Sequence, residues 1–158
     1  MISTTVSRRG FLIGGAAVVA TMATPSPALA NPRLDVAKDP NCGCCSAWVA
    51  ILEADGFDVA VETLAPADLA QLKRRSGVPQ AMMSCHTGRI EGYVIEGHVP
   101  AADIRRLLET RPDAIGLSVP GMPLGSPGMG PEEAREAYQV FLIKRDGSTD
   151  VFASYAAA

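Results

Sequence analysis

The chain of 158 residues lacks an excess of positive charge, since 14 lysine and arginine residues stand against 17 aspartate and glutamate residues. The resulting net charge of −3 excludes the basic footprint on which nucleic-acid binding depends. The chain also lacks internal repeats and a sustained heptad pattern, which excludes repeat architectures and coiled coils. Its 47% apolar and 20% charged residues are typical of a globular protein, and its length suits one ordinary domain.

The chain also lacks an apolar run long enough to cross a bilayer. Its most apolar stretch, residues 11–23, falls short of the about 20 residues that a spanning helix needs. Arg8 and Arg9 precede this stretch and the small-residue motif ALA follows it at residues 28–30, a combination typical of a cleavable secretory signal. The letters SRRGFL at residues 7–12 are similar to the twin-arginine export signal, which implies that a bacterium exports the protein already folded.

The N-terminal pattern divides the chain into two parts. We predict that residues 1–30 are a twin-arginine-type export signal that is cleaved, and that residues 31–158 form a single domain in the periplasm. No stable membrane span is expected after cleavage. The oxidising compartment would permit disulfides.

Alternation and helical spacing in residues 31–158 predict mixed α and β structure. The predicted elements are, in order, a strand at 33–39, a helix at 46–56, a strand at 57–64, a helix at 65–77, hairpin strands at 83–86 and 93–96 with a turn near 87–89, a helix at 100–112, a long loop at 114–133 and a closing hairpin at 138–155. This order predicts an α/β fold with a small mixed sheet, helices on its faces and a C-terminal hairpin.

Cysteine is scarce, and its distribution is uneven. Three of the four cysteines, Cys42, Cys44 and Cys45, lie in the stretch NCGCCSAW between the first predicted strand and the first predicted helix. Thioredoxin-like folds place their redox motif at this position. Cysteines this close together cannot connect distant parts of the chain, and a bridge between two of them removes little loop entropy, so a purely structural disulfide set is disfavoured.

One interpretation of the cysteine turn is a thiol–disulfide redox site. Cys42 and Cys45 stand in a C-x-x-C frame at the start of a helix, where unpaired backbone N–H groups stabilise a thiolate. Cys42 would be the exposed nucleophile and Cys45 the resolving thiol. This interpretation leaves Cys44 surplus and Cys85 unexplained.

The other interpretation is a soft metal site, in which Cys85 and His86 join the three cysteines of the turn. Thiolate donors select Cu(I), zinc or iron–sulfur centres. Iron–sulfur ligation usually shows longer cysteine spacings. If Cys85 and His86 lie in a strand, their side chains point to opposite faces, which makes one tetrahedral zinc ion a less natural fit than Cu(I). Crowded thiolates can also bridge several Cu(I) ions.

Residues near the cysteines are candidates for further roles. His98 is weighed equally as a metal ligand and as a capping or surface histidine. Met122 and Met129 carry soft thioethers, but their long glycine- and proline-rich loop favours a lid over a ligand role. Trp48 is expected to pack in the core beneath the site. Lys38 is expected to lie on the solvated surface.

Several motifs carry a family resemblance over most of the chain. They are KDPNCGCCSAW, SCHTG, GYVIEGHVPAADIRRLL, RPDAIGLSVPGMPLGSPGM and DGSTDVFASY, in this order. With them the chain resembles a bacterial family of exported metal-binding proteins that is catalogued as a domain of unknown function, whose better-known members are the copper-linked periplasmic CopG proteins. The resemblance implies a thioredoxin-like fold that binds copper, as Cu(I) in a thiolate cluster, in the service of copper resistance.

The resemblance also implies a ligand set and partners. The implied metal ligands are Cys42, Cys44, Cys45, Cys85, His86 and His98. The implied partners are copper ions and other periplasmic copper-handling proteins. We therefore predict an exported protein that holds more than one Cu(I) ion for copper resistance or copper redox handling, with a copper-dependent or thiol–disulfide oxidoreductase activity left open. The alternative function is a periplasmic thiol–disulfide oxidoreductase that uses Cys42 and Cys45.

Overall fold

The computed structural model describes Met1 and residues 31–158. Apart from Met1, the predicted export signal therefore lies outside the described residues. Within the described part of the chain, no helix is both long and apolar enough to cross a membrane.

The described chain alternates strands and helices and then ends in strands. Its strands are β1 (Arg33–Lys38), β2 (Asp58–Thr63), β3 (His86–Ile90), β4 (Tyr93–Glu96), β5 (Ala114–Ser118), β6 (Tyr138–Lys144) and β7 (Thr149–Tyr155). Its α-helices are α1 (Gly43–Ala54), α2 (Pro66–Arg75) and α3 (Ala101–Thr110), and two short 3-10 turns cover Gln80–Met82 and Glu132–Ala134.

All seven strands belong to one mixed sheet in the order β2-β1-β3-β4-β5-β6-β7. The β1–β2 and β4–β5 pairs are parallel, and the other four neighbouring pairs are antiparallel. The closing hairpin extends this same sheet at its β5 edge. The predicted α/β, thioredoxin-like fold with a mixed sheet is confirmed.

Helices cover both faces of the sheet. Trp48 and Leu52 of α1 and Ile104 and Leu107 of α3 are fully buried in the main apolar core, which lies against one face. Helix α2 lies on the other face, where its Lys73 reaches side chains of β3 and β4. Because β1 leads into α1 at one end of the sheet, the cysteine turn lies beside the start of β3, the antiparallel neighbour of β1.

The first hairpin differs from its prediction. Its turn lies at Glu91 and Gly92, so residues 87–89, predicted as the turn, lie inside β3. Both turn residues have positive φ, 46° and 88°, which is the pattern that a type I′ hairpin turn requires. By residue type, Gly88 and Gly92 are both compatible with a turn. Pairing with β1 places Gly88 within strand β3.

The long loop also begins later than predicted. Residues 114–118 form β5, which pairs with β4 on one side and β6 on the other. The five residues AIGLS, next to a glycine- and proline-rich stretch, have too little local pattern to identify a strand. Its conformation is set by hydrogen bonds to both neighbours.

Candidate metal centre

The cysteine turn joins β1 to α1, as predicted. Cys42 is the N-cap residue of α1 and its side chain makes no capping hydrogen bond, while Cys44 and Cys45 lie in the first helical turn. The free N–H groups and positive dipole end of a helix favour anionic sulfur at this position. Cys45 is completely buried, whereas Cys42 and Cys44 are half-buried.

The turn contains a disulfide between Cys42 and Cys45, whose Cα atoms lie 5.4 Å apart. Cys44 and Cys85 are free thiols, and the Cys44 Sγ lies 3.4 Å from the Cys42 Sγ. The C-x-x-C pair is therefore the bonded pair, and two further thiols lie beside it. The four sulfur atoms fall within 4.8 Å of one another.

Both histidines lie next to the fourth cysteine. The Cys85 Sγ is 3.2 Å from Nδ1 of His86 and 3.1 Å from Nε2 of His98. The expectation that Cys85 and His86 point to opposite faces of a strand is wrong, because Cys85 precedes β3 and is not in the strand. The orientation argument against a single zinc ion therefore falls away, and the preference for copper depends on the soft donor set alone.

Hydrogen bonding fixes the orientation of His98. Its Nδ1 lies 2.7 Å from the backbone carbonyl oxygen of Pro127, which can only accept. The ring proton is therefore held at Nδ1, and the lone pair of Nε2 faces Cys85. A carbonyl that holds one ring nitrogen while the other faces a metal position is the usual arrangement around ligating histidines.

His86 is completely buried, and its ring centroid lies 4.2 Å from the ring centroid of Trp48 and 5.1 Å from that of His98. The expected core position of Trp48 beneath the site is confirmed, and its indole N–H donates to the carbonyl of Val99. Among the described residues, Nε2 of His86 is the single buried side-chain nitrogen or oxygen that has no hydrogen-bond partner. The ring nitrogen that faces the Cys85 Sγ is Nδ1, so Nδ1 and not the unpaired Nε2 is the atom available to a metal ion at the cluster.

Burial favours the neutral forms of Cys85, His86 and His98 in the metal-free site. Burial, followed by the nearby Cys44, raises the pKa of the Cys85 thiol to about 11. Burial, followed by His98 and Lys73, lowers the pKa of His86 to about 3, and burial also lowers the pKa of His98. Neutral imidazoles are ready to bind a metal ion, while the thiol must first lose its proton.

The glycine- and proline-rich loop covers this site. The Pro127 carbonyl of this loop contacts His98. Gly128 lies so close to the first turn of α1 that an added Cβ would be 2.7 Å from the Trp48 backbone nitrogen and 3.0 Å from the Cys44 backbone oxygen. Met129 is half-buried and Met122 is 55% exposed. The position of residues 127 and 128 agrees with the expected role of this loop as a cover.

The structure thus brings all six predicted site residues together. They form two overlapping groups that share Cys85, namely Cys42, Cys44, Cys45 and Cys85, and Cys85, His86 and His98. The ligand atoms within each group lie within 4.8 Å of one another, a spacing at which one ion can be held by three or four of them.

Some buried charges near the site escaped the sequence analysis. Lys38, expected in solvent, is only 6% exposed, because β1 is an inner strand of the sheet, and its Nζ donates to the Asp39 carbonyl. Lys73 and Glu96 form a buried ion pair with 2.6 Å between Nζ and Oε1. A charged residue at the end of the apolar run YVIE was the available signal for Glu96.

Comparison with known proteins agrees with this architecture. The family model described as a protein of unknown function, DUF411, matches residues 82–129, which include Cys85, both histidines and the covering loop. Among curated proteins, no sequence matches the chain.

Two solved structures are similar over nearly their whole length. They are form 1 and form 2 of copper resistance protein CopG, each 50% identical in sequence, with TM-scores of 0.75 and 0.73. Each alignment covers 79% of this chain and 98% of the other. The cysteine turn, the Cys85-His86 pair, the sheet order and this level of identity together show that the chain belongs to the CopG family of DUF411 proteins.

Proposed function

We propose that this chain is an exported copper-binding protein that holds Cu(I), and more than one ion of it, in its cluster of cysteines and histidines. The ion is the cargo of the protein, taken up for copper resistance or copper redox handling. Export to the periplasm through a twin-arginine-type signal is part of the proposal. The copper resistance proteins to which the chain is 50% identical support this assignment.

The observation that carries the proposal is the convergence of six soft or borderline donors on one spot. Four sulfur atoms and two imidazoles form two groups that share the Cys85 Sγ. Thiolates prefer Cu(I) and can bridge ions, so a sulfur common to two ligand groups suits a site with more than one ion. Buried His86 fits the same chemistry, because its imidazole is neutral and its Nδ1 lies 3.2 Å from the shared Cys85 Sγ.

The disulfide defines when the full donor set is available. Cys42 and Cys45 can each donate a thiolate only after their bond is reduced by two electrons, for which a dithiol is the appropriate reductant. Reduction gives two thiols, and metal binding then releases their protons. Cys85, His86 and His98 remain available in either state.

The test is metal analysis of the protein isolated anaerobically from copper-fed cells, combined with a count of free thiols. More than one copper per chain, with no thiol reactive until the metal is removed, is the expected result. Zinc in place of copper would contradict the choice of metal, and metal-free protein would contradict the function. A triple variant that carries Cys42→Ser, Cys44→Ser and Cys45→Ser should no longer bind more than one copper ion. The control Ser46→Ala changes an exposed residue in the same helical turn and should keep the copper stoichiometry.

A second function is favoured by one observation, the bond between Cys42 and Cys45. In a thiol–disulfide oxidoreductase the Cys42 thiolate would attack a substrate disulfide and form a mixed disulfide with it. Cys45 would then attack the Cys42 sulfur, release the substrate thiol and form the Cys42–Cys45 bond. Cys44→Ser separates the two functions. It should leave disulfide exchange intact if Cys42 and Cys45 are the redox pair, and it should lower the copper stoichiometry if Cys44 is a ligand.

A further inference from the structure

A cluster of buried polar side chains lies on the face of the sheet opposite the histidines. Thr87 follows His86 in β3, so its side chain points to the other face. There it meets Glu96, its partner in the β3–β4 register, and Lys73 of α2. Glu96 is completely buried and Lys73 is 5% exposed.

The carboxylate of Glu96 is fully used. Its Oε2 accepts a hydrogen bond of 2.7 Å from the Thr87 hydroxyl, and its Oε1 accepts one of 2.6 Å from the Lys73 ammonium. Oε1 also accepts a hydrogen bond of 2.6 Å from the backbone N–H of Ser84. Ser84 immediately precedes Cys85, so the cluster holds the chain at the residue next to the thiol shared by both donor groups.

The segment that carries Cys85 depends on such contacts because it lies outside regular structure. Ser84 and Cys85 fall between the 3-10 turn Gln80–Met82 and the first residue of β3. The Ser84 hydroxyl donates to the carbonyl of Gly121, which ties the same segment to the covering loop. Glu96 is thus one of two anchors of Ser84, and it is itself only two residues before His98.

Stability alone does not explain why the fold buries the Lys73–Glu96 ion pair. Burying a lysine and a glutamate costs desolvation energy, and apolar side chains of similar volume often give an equally stable protein. The neighbouring core on this face, formed around Val78, Val94 and Ile143, is apolar. A carboxylate there offers something that an apolar side chain cannot, a buried acceptor for the Ser84 N–H.

We propose that Glu96, held by Lys73, is a positioning residue that fixes Ser84 and thereby keeps the Cys85 sulfur directed at His86 and His98. The inference rests on the proposed function and deepens it, since it adds to the donors a carboxylate that acts through the backbone. Ligand-orienting residues of this kind typically contribute about 10- to 100-fold to metal affinity.

Two double variants isolate the acceptor from the charge. Lys73→Met with Glu96→Gln removes both charges and keeps an amide oxygen for the Ser84 N–H. Lys73→Met with Glu96→Leu removes both charges and the acceptor. Neither leaves a single buried charge unpaired, which is the main reason why one-sided variants of buried ion pairs unfold.

Two measurements follow for each reduced, full-length variant. One is the Cu(I) affinity by competition with a chromogenic chelator, and the other is the rate at which iodoacetamide alkylates Cys85 in the metal-free chain, located by mass spectrometry. The Gln variant should stay close to wild type in both. The Leu variant should bind Cu(I) about 10- to 100-fold more weakly and alkylate about fivefold faster, the ratio expected when one buried hydrogen bond is lost.

Asp103→Asn provides the matched control. Asp103 is also a buried carboxylate and accepts hydrogen bonds from Tyr155 and Arg106, but it belongs to neither donor group. It should lower the melting temperature and leave both measurements unchanged. Equal affinities and alkylation rates in the two double variants, whether at the wild-type level or below it, would overturn the positioning role. Absence of Cu(I) binding by the wild type would instead contradict the proposed function, and the alkylation contrast would still decide the positioning.

Discussion

His98 presents its Nε2 to Cys85, with 3.1 Å between the nitrogen and the Sγ. The opposite ring nitrogen lies 2.7 Å from the Pro127 carbonyl, so the covering loop sets which nitrogen carries the proton. The donor geometry of the site therefore depends on a loop that contributes no side-chain ligand through this contact.

The first prediction concerns the loop contact. Gly128→Ala places a Cβ 2.7 Å from the Trp48 backbone nitrogen. This clash should push residues 127 and 128 away from α1 and break the hydrogen bond between His98 Nδ1 and the Pro127 carbonyl. We expect Cu(I) affinity to fall by about 10- to 100-fold, the usual effect of losing a hydrogen bond that orients a ligand. Chelator competition measures the change.

Gly147→Ala is the matched control for this variant. Gly147, in the turn of the closing hairpin, also has positive φ, 82° against 83° for Gly128, but an added Cβ there meets no atom within 4 Å. Both variants should lose about 1–2 kcal/mol of stability from the left-handed conformation. Only Gly128→Ala should lose affinity, and an equal loss in both would assign the effect to backbone strain.

The second prediction concerns acid stability of the metal-free protein. Burial lowers the pKa of His86 to about 3, so between about 3 and the ordinary histidine value near 6.5 the unfolded chain binds a proton that the folded chain does not. The free energy of unfolding should therefore decrease as the pH falls from 7 towards 4. His86→Leu should have a shallower pH dependence in urea unfolding, with the remaining slope arising in part from His98, whose pKa is also lowered. An unchanged slope would contradict a neutral buried His86.

The third prediction concerns proton release. Burial and Cys44 raise the pKa of Cys85 to about 11, so this thiol is protonated at pH 7 before metal binds. If Cys85 is a ligand, Cu(I) binding releases that proton, and the affinity rises by about tenfold per pH unit from this group until the pH approaches 11. Calorimetry in two buffers of different ionisation enthalpy counts the protons, and Cys85→Ser should release one fewer. The same count in that variant would exclude Cys85 as the source.

The fourth prediction uses the single tryptophan as a probe. Trp48 is completely buried, and its ring centroid lies 4.2 Å from that of His86. Metal binding to His86 should change the emission of Trp48 in proportion to the copper added to the reduced chain. Chain with the Cys42–Cys45 disulfide intact should show a smaller change, because it has fewer donors. A titration that saturates the thiols without altering the emission would place the metal away from His86.

Local pattern was sufficient for most elements of the fold. The alternation in β1, the apolar face of α1 and the Asp146-Gly147 turn of the closing hairpin each depend on neighbours in sequence, and each was predicted. Residues 114–118 were predicted as loop although they form β5, and the strand before the first hairpin turn was predicted at 83–86 although β3 begins at His86. Both predictions were wrong because these strands depend on partners distant in sequence. Residues 87–89 are strand because β1 pairs with them, and no local signal carries that information.

The site shows the same division. The density of cysteine at residues 42–45 and the Cys85-His86 pair predicted candidate donors, and the family resemblance implied His98 as a further one. The side of the chain on which Cys85 lies, the burial of Lys38 and the Lys73–Glu96 pair under Ser84 were not predictable, because they follow from where β3 begins and which face α2 covers.

The sequence by itself determined which chemical groups this protein has, a sulfur-rich turn at the start of a helix and two histidines, because side-chain chemistry and helix-start signals are properties of adjacent residues. Only the tertiary structure decided that Cys85 lies next to both Cys42 and His98. Their meeting follows from the antiparallel pairing of β1 with β3 and from the loop laid over α1, and those contacts form between segments that are far apart in the chain.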